Sequence, residues 1–315
     1  MSSNSSATTF PKHVHSIPYS DPPSRLRTLD VYLPQDPSST PPNSPWLIYI
    51  HGGAWRDPLQ DSRCVEPTLT HLLTTHSTTV SRLGGIASLN YRLSAHPTHP
   101  TSPSTPTDTE RNATHPQHVR DIAAGIAYLQ QHYGVTRWIG AGHSCGATML
   151  LQLVAGLGLA RAVSPGPDAL LLLEGIYNFP LLLKNHQPPS CPEHVSRIYA
   201  DFIAGAFGSD PAAYLAVSPV AGRYGREVWP EGRLVVVCHS YEDELVERGQ
   251  RDVLCVALDR EGWSIVMEEG DEEDEVRAEG SRVLNVRDLK GGHDWIWEDG
   301  VQIAKLIAEI VQRVG

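Results

Sequence analysis

Gly142-His143-Ser144-Cys145-Gly146 decides the reading of this chain. The pentapeptide fits G-x-S-x-G, in which a serine rides a sharp turn between a strand and a helix, so that its hydroxyl stands clear of the sheet. Small neighbours are required because the turn brings backbones close together. The flanks agree. Arg137-Trp138-Ile139-Gly140 reads as a short strand before the motif, and Cys145 to Leu157 as a helix after it. Working outward, Trp46 to Ile50, Ile86 to Tyr91, Ala169 to Leu173, Leu234 to Cys238 and Val283 to Val286 are short apolar runs that read as further strands. Between them, Val119, Ile122, Ala123, Ile126 and Leu129 recur at helical spacing within His118 to His132, and Leu245 to Leu258 and Val301 to Val311 also read as helices. Short apolar strands alternating with helices predict an α/β fold: one domain over residues 1–315, with a mostly parallel central sheet flanked by helices.

Two further segments complete a chemistry. His51-Gly52-Gly53-Ala54-Trp55 follows the strand at 46–50. Its glycines let the backbone N–H groups of Gly52, Gly53 and Ala54 point at a developing oxyanion, and the residue after the serine, Cys145, supplies another donor. His51 itself reads as a residue that pins the loop rather than one that carries a proton. On this kind of sheet the serine's partners follow in the order acid, then histidine. After the strand ending at Cys238 comes His239-Ser240-Tyr241-Glu242-Asp243-Glu244, where Asp243 is the natural acid and Glu242 and Glu244 are rivals that the sequence leaves open. Gly291-Gly292-His293-Asp294-Trp295 places a histidine after two glycines, able to swing its ring between the acid and Ser144. A neutral imidazole is needed to accept the serine proton, so kcat/KM should rise through roughly pH 6–7. Trp55 and Tyr177 are candidates to line an aromatic substrate pocket, with core packing as the competing reading for each.

Composition limits the alternatives. Of 315 residues, 40% are hydrophobic and 19% charged, enough apolar material for a sizeable core. The net charge of −11 argues against a nucleic-acid binder. The richest apolar stretch, Ala147 to Ala160, is broken by Gln152 and reads as a buried helix, so no membrane span is expected. Met1 to Thr9 has neither the basic nor the apolar region of a secretory signal, and Arg313-Val314-Gly315 is no targeting signal, so a cytoplasmic protein is expected. The five cysteines are scattered and form no C-x-x-C pair, which reads as reduced thiols. No Cys/His cluster has metal-ligand spacing, so no metal or other cofactor is expected; His96, His99, His115 and His118 are the one set that could converge. Four stretches stand apart: residues 1–10 as a disordered start, 93–117 as a Pro/Ser/Thr-rich surface loop, 176–222 as a cap-like insertion, and 268–280 as a solvated acidic loop.

The quoted residues resemble the α/β-hydrolase superfamily on its hormone-sensitive-lipase-like side, and within it the kynurenine formamidases of fungal type. The resemblance rests on His51-Gly-Gly-Ala-Trp-Arg-Asp-Pro58, Asn90-Tyr-Arg-Leu-Ser94, His115-Pro-Gln-His-Val-Arg-Asp121, Glu174-Gly-Ile-Tyr177, Ala206-Phe-Gly208, Asp243-Glu-Leu-Val246 and Gly292-His-Asp-Trp295. The resemblance runs from about residue 46 to 297, while the filler at 95–107 and the acidic run at 268–278 depart from the pattern. The resemblance implies Ser144 as nucleophile, Asp243 as acid, His293 as base and residues 51–55 as the oxyanion-hole motif. It implies hydrolysis of N-formyl-L-kynurenine to L-kynurenine and formate without a metal, through a formyl-enzyme, by a protein that is often a homodimer. The competing expectations are a broad carboxylesterase with the same triad and an inactive hydrolase fold used as a binding module. The second is opposed by the presence of all three triad residues.

Overall fold

The computed structural model describes residues 10–267 and 280–315. The expectations for residues 1–9 and for most of the acidic loop therefore lie outside the described residues. Among the described residues nine strands form one sheet: β1 (Lys12–Pro18), β2 (Thr28–Leu33), β3 (Trp46–Ile50), β4 (Gly85–Leu89), β5 (Trp138–His143), β6 (Ala169–Leu173), β7 (Leu234–Ser240), β8 (Ser264–Met267) and β9 (Val283–Leu289). Their spatial order is β1-β2-β4-β3-β5-β6-β7-β9-β8. β2 is antiparallel to both its neighbours, and the pairings from β4 through β8 are parallel.

The central strands are buried on both faces because their sequences are apolar at every position rather than at alternate ones. Ile48, Ile50, Leu170 and Leu172 point into one hydrophobic layer, and Leu47, Tyr49, Ala169, Leu171 and Leu173 into the other. Against the first layer lie α2 (Gln117–Tyr133), α3 (Cys145–Ala155), α4 (Phe179–Asn185), α5 (Glu193–Phe207) and α6 (Gly249–Arg260). Against the second lie α1 (Glu66–Thr75) and α7 (Val301–Val314). Helix α3 is apolar apart from Thr148 and Gln152, and every residue from Cys145 to Val154 is buried. Its end is set by Gly156, left-handed at φ 70°, a conformation that costs an L side chain and not glycine. No helix among the described residues is long and apolar enough to cross a membrane.

The stretch at 93–117 is mostly exposed or half-buried, with a few buried anchors. It is irregular apart from one short 3-10 turn at Thr109–Arg111, but Leu93, Ser94, His99, Ser104, Arg111 and Ala113 are buried. Polar side chains make that burial tolerable by satisfying backbone groups: Arg111 donates to Ser102 O at 2.8 Å, and Ser94 Oγ to Ala113 O at 2.9 Å. The segment at 176–222 carries α4, α5 and short helical turns. It is tied to the body by Gln250, whose Oε1 accepts from Tyr177 N (2.9 Å) and Asn178 N (2.7 Å).

Candidate active site

The turn after β5 has the geometry its sequence calls for. Ser144 sits at φ 53°, ψ −123°, a strained left-handed setting for a residue with a side chain, of the kind that concentrates at functional sites. Its own N–H donates to Leu173 O at 2.8 Å, fastening the turn to the end of β6. The glycines on either side are required by contact. A Cβ on Gly142 would lie 2.7 Å from Ala147 N, and one on Gly146 would press into the carbonyl oxygens of Ile50 and His51. That second contact is what brings the loop after β3 against the serine.

The loop runs through three successive left-handed residues, Gly53 (φ 93°), Ala54 (φ 48°) and Trp55 (φ 60°). Three side chains hold it. Trp55 N donates to Cys145 Sγ at 3.3 Å, Tyr91 Oη donates to Gly52 O at 2.9 Å, and His51 Nδ1 donates to the same carbonyl at 2.9 Å while its ring stacks on Tyr91. Burial pushes His51 down to about 4, so it is neutral and acts as the pin expected of it. Burial likewise pushes the Cys145 thiol up to about 11, leaving an uncharged thiol that anchors the loop. A Cβ on Gly52 would stand 3.2 Å from Ser144 Cβ and 2.8 Å from His143 Nδ1, so the loop has no room for a side chain beside the serine.

His293 and Asp243 meet. His293 Nδ1 lies 2.9 Å from Asp243 Oδ2, and the other Asp243 oxygen accepts from Leu245 N (2.9 Å) and Val246 N (2.8 Å). Burial works to raise the Asp243 carboxyl, but the bond to His293 and these backbone N–H groups outweigh it and hold the group below the ordinary carboxylate range. Glu242 is exposed and does not reach the ring; Glu244 instead accepts from the backbone N–H of His293 at 3.1 Å. The loop carrying His293 is clamped by the residue before the serine, since His143 Nε2 donates to His293 O at 3.0 Å. No hydrogen bond joins Ser144 Oγ to His293 among the described residues; such bonds are often long until substrate is bound.

Trp55 and Tyr177, pocket candidates with core packing as the competing reading, are both buried. Trp55 is 1% exposed within Phe179, Phe202 and Phe207, and Tyr177 is 0% exposed, so both pack the core beneath the 176–222 segment. His96, His99, His115 and His118 do not converge on a common point among the described residues. A different set, His13, His15 and Asp30, comes close together on β1 and β2, but both Asp30 oxygens are engaged, by Ser16 N at 2.7 Å and Ser62 Oγ at 3.0 Å.

Sequence reasoning assigned no role to Glu174, at the end of β6. It is 0% exposed, at φ 51°, with Oε2 3.6 Å from His293 Nδ1 and 3.5 Å from His143 Nε2. Burial first, and the Asp243 charge second, raise its carboxyl to about 9. The signal available was its position: an acid immediately after a central strand, at the same sheet edge as Ser144.

No family model matches the chain. It is 33% identical over 310 residues to a kynurenine formamidase-like hydrolase of Fusarium equiseti, covering 95% of each chain. It is 31% identical over 271 residues to a kynurenine formamidase of Aspergillus versicolor, covering 80% of this chain and 83% of that one. A kynurenine formamidase of Meyerozyma guilliermondii is 29% identical over 213 residues, 66% of this chain and 69% of the other. Among solved structures, a truncated carbohydrate esterase from gut microbiota superposes with TM-score 0.60 at 14% identity, covering 96% of both chains. A mutant of the esterase E40 superposes with TM-score 0.56 at 17% identity, covering 91% of this chain and 81% of its own. At such identities the structural likeness speaks for the fold alone.

Proposed function

This chain belongs to the kynurenine formamidase family of the α/β-hydrolases, and from that premise we propose that it hydrolyses N-formyl-L-kynurenine to L-kynurenine and formate. The observation that carries the residue roles is the 2.9 Å bond between His293 Nδ1 and Asp243 Oδ2, beside a serine held in an elbow. Asp243 fixes the imidazole so that Nε2 is the free base. His293 takes the Ser144 Oγ proton as the oxygen adds to the formyl carbon. The N–H of Cys145 and those of the loop at Gly52, Gly53 and Ala54 bind the resulting oxyanion. The imidazolium gives its proton to the departing aryl amine, leaving a formyl ester on Ser144. Water, deprotonated by His293, then releases formate and restores the serine.

The crowding of Gly52 against Ser144 supports a small acyl group. A formyl carbon carries only hydrogen and asks for no acyl pocket. The five free cysteines favour a reducing cytoplasm, and the family implies a homodimer, which sedimentation of the purified chain tests. The decisive assay compares N-formyl-L-kynurenine with p-nitrophenyl acetate, using wild type and Ser144→Ala. Turnover of the formamide that disappears in the variant is expected. Turnover of the ester alone would overturn the formamidase assignment.

A further inference from the structure

We propose that Glu174 is a positioning residue that works as an uncharged acid, packing the buried side of the His293–Asp243 pair and leaving Asp243 as the only charge the imidazole nitrogen faces at neutral pH. The proposal rests on the catalytic roles given above. Its ground is geometric. Glu174 Oε2 stands 3.6 Å from the same His293 nitrogen that Asp243 Oδ2 holds at 2.9 Å. The side chain has no access to solvent, and neither of its oxygens has a hydrogen-bond partner among the side-chain contacts. Its backbone is strained at φ 51° yet fastened, since Glu174 N donates to Cys238 O at 3.0 Å.

Two carboxyl groups sharing one imidazole in a dry site do not both ionise, because like charges and desolvation oppose the second charge. Asp243 has two backbone N–H donors and the imidazole, so it keeps the charge. Glu174 has only a backbone contact from Ser240, whose downward pull is smaller than the upward push of burial and of the Asp243 charge, so it keeps the proton, in line with the rise to about 9. The groups around it come from every adjoining element. They are His143 from β5, Cys238 and His239 with Asp243 and Glu244 from β7 and its loop, Tyr177 after β6, and His293 with Asp294 before α7. His143 and His239 are both shifted down by burial and are neutral, so no cation offsets an ionised Glu174.

The consequence is a requirement. An ionised Glu174 would add a second negative charge beside the imidazolium, which would then hold its proton more tightly and release it less readily to the aryl amine. The rate should therefore bend downward as Glu174 loses its proton. The titration belongs to the coupled Glu174, Asp243 and His293 unit rather than to one residue.

The test compares kcat and KM of wild type, Glu174→Gln and Glu174→Ala from pH 6 to 10.5 on N-formyl-L-kynurenine and on p-nitrophenyl acetate. Glutamine keeps the shape without a titratable proton, so at pH 7.5 it should retain at least tenfold more kcat than alanine, with KM changed less than kcat. The wild-type inflection near pH 9 should be absent from Glu174→Gln. A glutamine variant as impaired as the alanine variant, or one that keeps the inflection, overturns the proposal. Thermal melts provide a readout without substrate: Glu174→Gln should melt higher than wild type at pH 8, with the gap closing toward pH 4.5. An equal melting difference at both values also overturns it. Wild-type enzyme that cleaved only the ester would sink the formamidase assignment and leave the Glu174 inflection to be read on that ester.

Discussion

At the scale of single residues, the proposed roles separate by magnitude. Ser144→Ala removes the proposed nucleophile from a turn whose backbone needs no hydroxyl, so kcat should drop by roughly 10⁴ to 10⁶ while the circular dichroism spectrum is kept. Retention of a tenth of the activity would exclude Ser144 as nucleophile. Asp243→Asn keeps the shape but offers His293 an amide in place of a carboxylate, and should cost about 10⁴ in kcat. Glu242→Gln should be close to silent, because that side chain is exposed and does not reach the ring. Glu244→Gln should cost far less than Asp243→Asn, because it weakens only a bond to the His293 backbone N–H. Kinetics of the three variants side by side check the ranking, and a glutamate change more damaging than the aspartate change would reassign the acid. The sequence carried these residues into view because chain order and flanking strands constrain them. It left the choice among 242, 243 and 244 open because neighbours in a loop differ by which way each points, and the Leu245 and Val246 N–H groups that hold Asp243 lie beyond any local pattern of acids. Glu174 was given no role because its position just after a central strand does not say what it faces; its meaning comes from residues about seventy and a hundred and twenty positions away, which only the sheet brings together.

At the scale of elements, the elbow and the loop after β3 act as one unit, locked through Gly146. Gly146→Ala would drive a methyl group into the Ile50 and His51 carbonyls, a backbone contact that no rotamer change relieves. Overpacking of this sort costs about 1–3 kcal/mol. Since the displaced segment carries the proposed oxyanion donors, kcat should fall further than the loss of folded protein explains. Urea titration together with active-site-normalised kcat tests this, and an alanine variant with normal kcat would show the two segments to be uncoupled. Trp55→Ala should cost about 3–5 kcal/mol, because the ring is buried among Phe179, Phe202 and Phe207 and its loss leaves a cavity. The strands at the sheet centre were legible because burial on both faces makes them apolar throughout: Trp46–Ile50 and Ala169–Leu173 match residue for residue. β1, β2 and β8 went unread for the opposite reason. β1 is largely exposed with histidines at alternate positions, β2 carries the buried Asp30, and β8 is a short edge strand of four residues. Helix α6 begins at Gly249 rather than Leu245, because Leu245 and Val246 are spent on holding Asp243.

At the scale of the whole molecule, burying histidines ties folding to pH. Burial pushes His51 down to about 4 and His118 down to about 3, and drives His143 well below the ordinary imidazole range, with the nearby His293 adding to it. Unfolded, each would titrate near ~6.5. Between pH 6.5 and roughly 4 the unfolded chain therefore binds more protons than the native one at these positions, so stability falls as pH falls through that window. By pH 5 each group withdraws about 2 kcal/mol, and the Asp243 carboxylate adds to the loss at lower pH, because its native-state shift is also downward. Glu174 acts with the opposite sign. Its native proton is held to about 9, so the unfolded chain releases it first and stability declines from about pH 4.5 upward until the native group also ionises. The two trends leave a maximum near neutrality, steep on the acid side where several histidines act together and shallow on the alkaline side where one carboxyl does. Urea unfolding at pH 5, 7 and 9 reads both limbs. Wild type should lose several kcal/mol between pH 7 and 5, and His118→Gln should lose measurably less, since it no longer takes up a proton on unfolding. Equal losses in the two proteins would mean that His118 is already protonated in the native fold, and that its 3.0 Å contact with Ser94 Oγ is made by a charged ring.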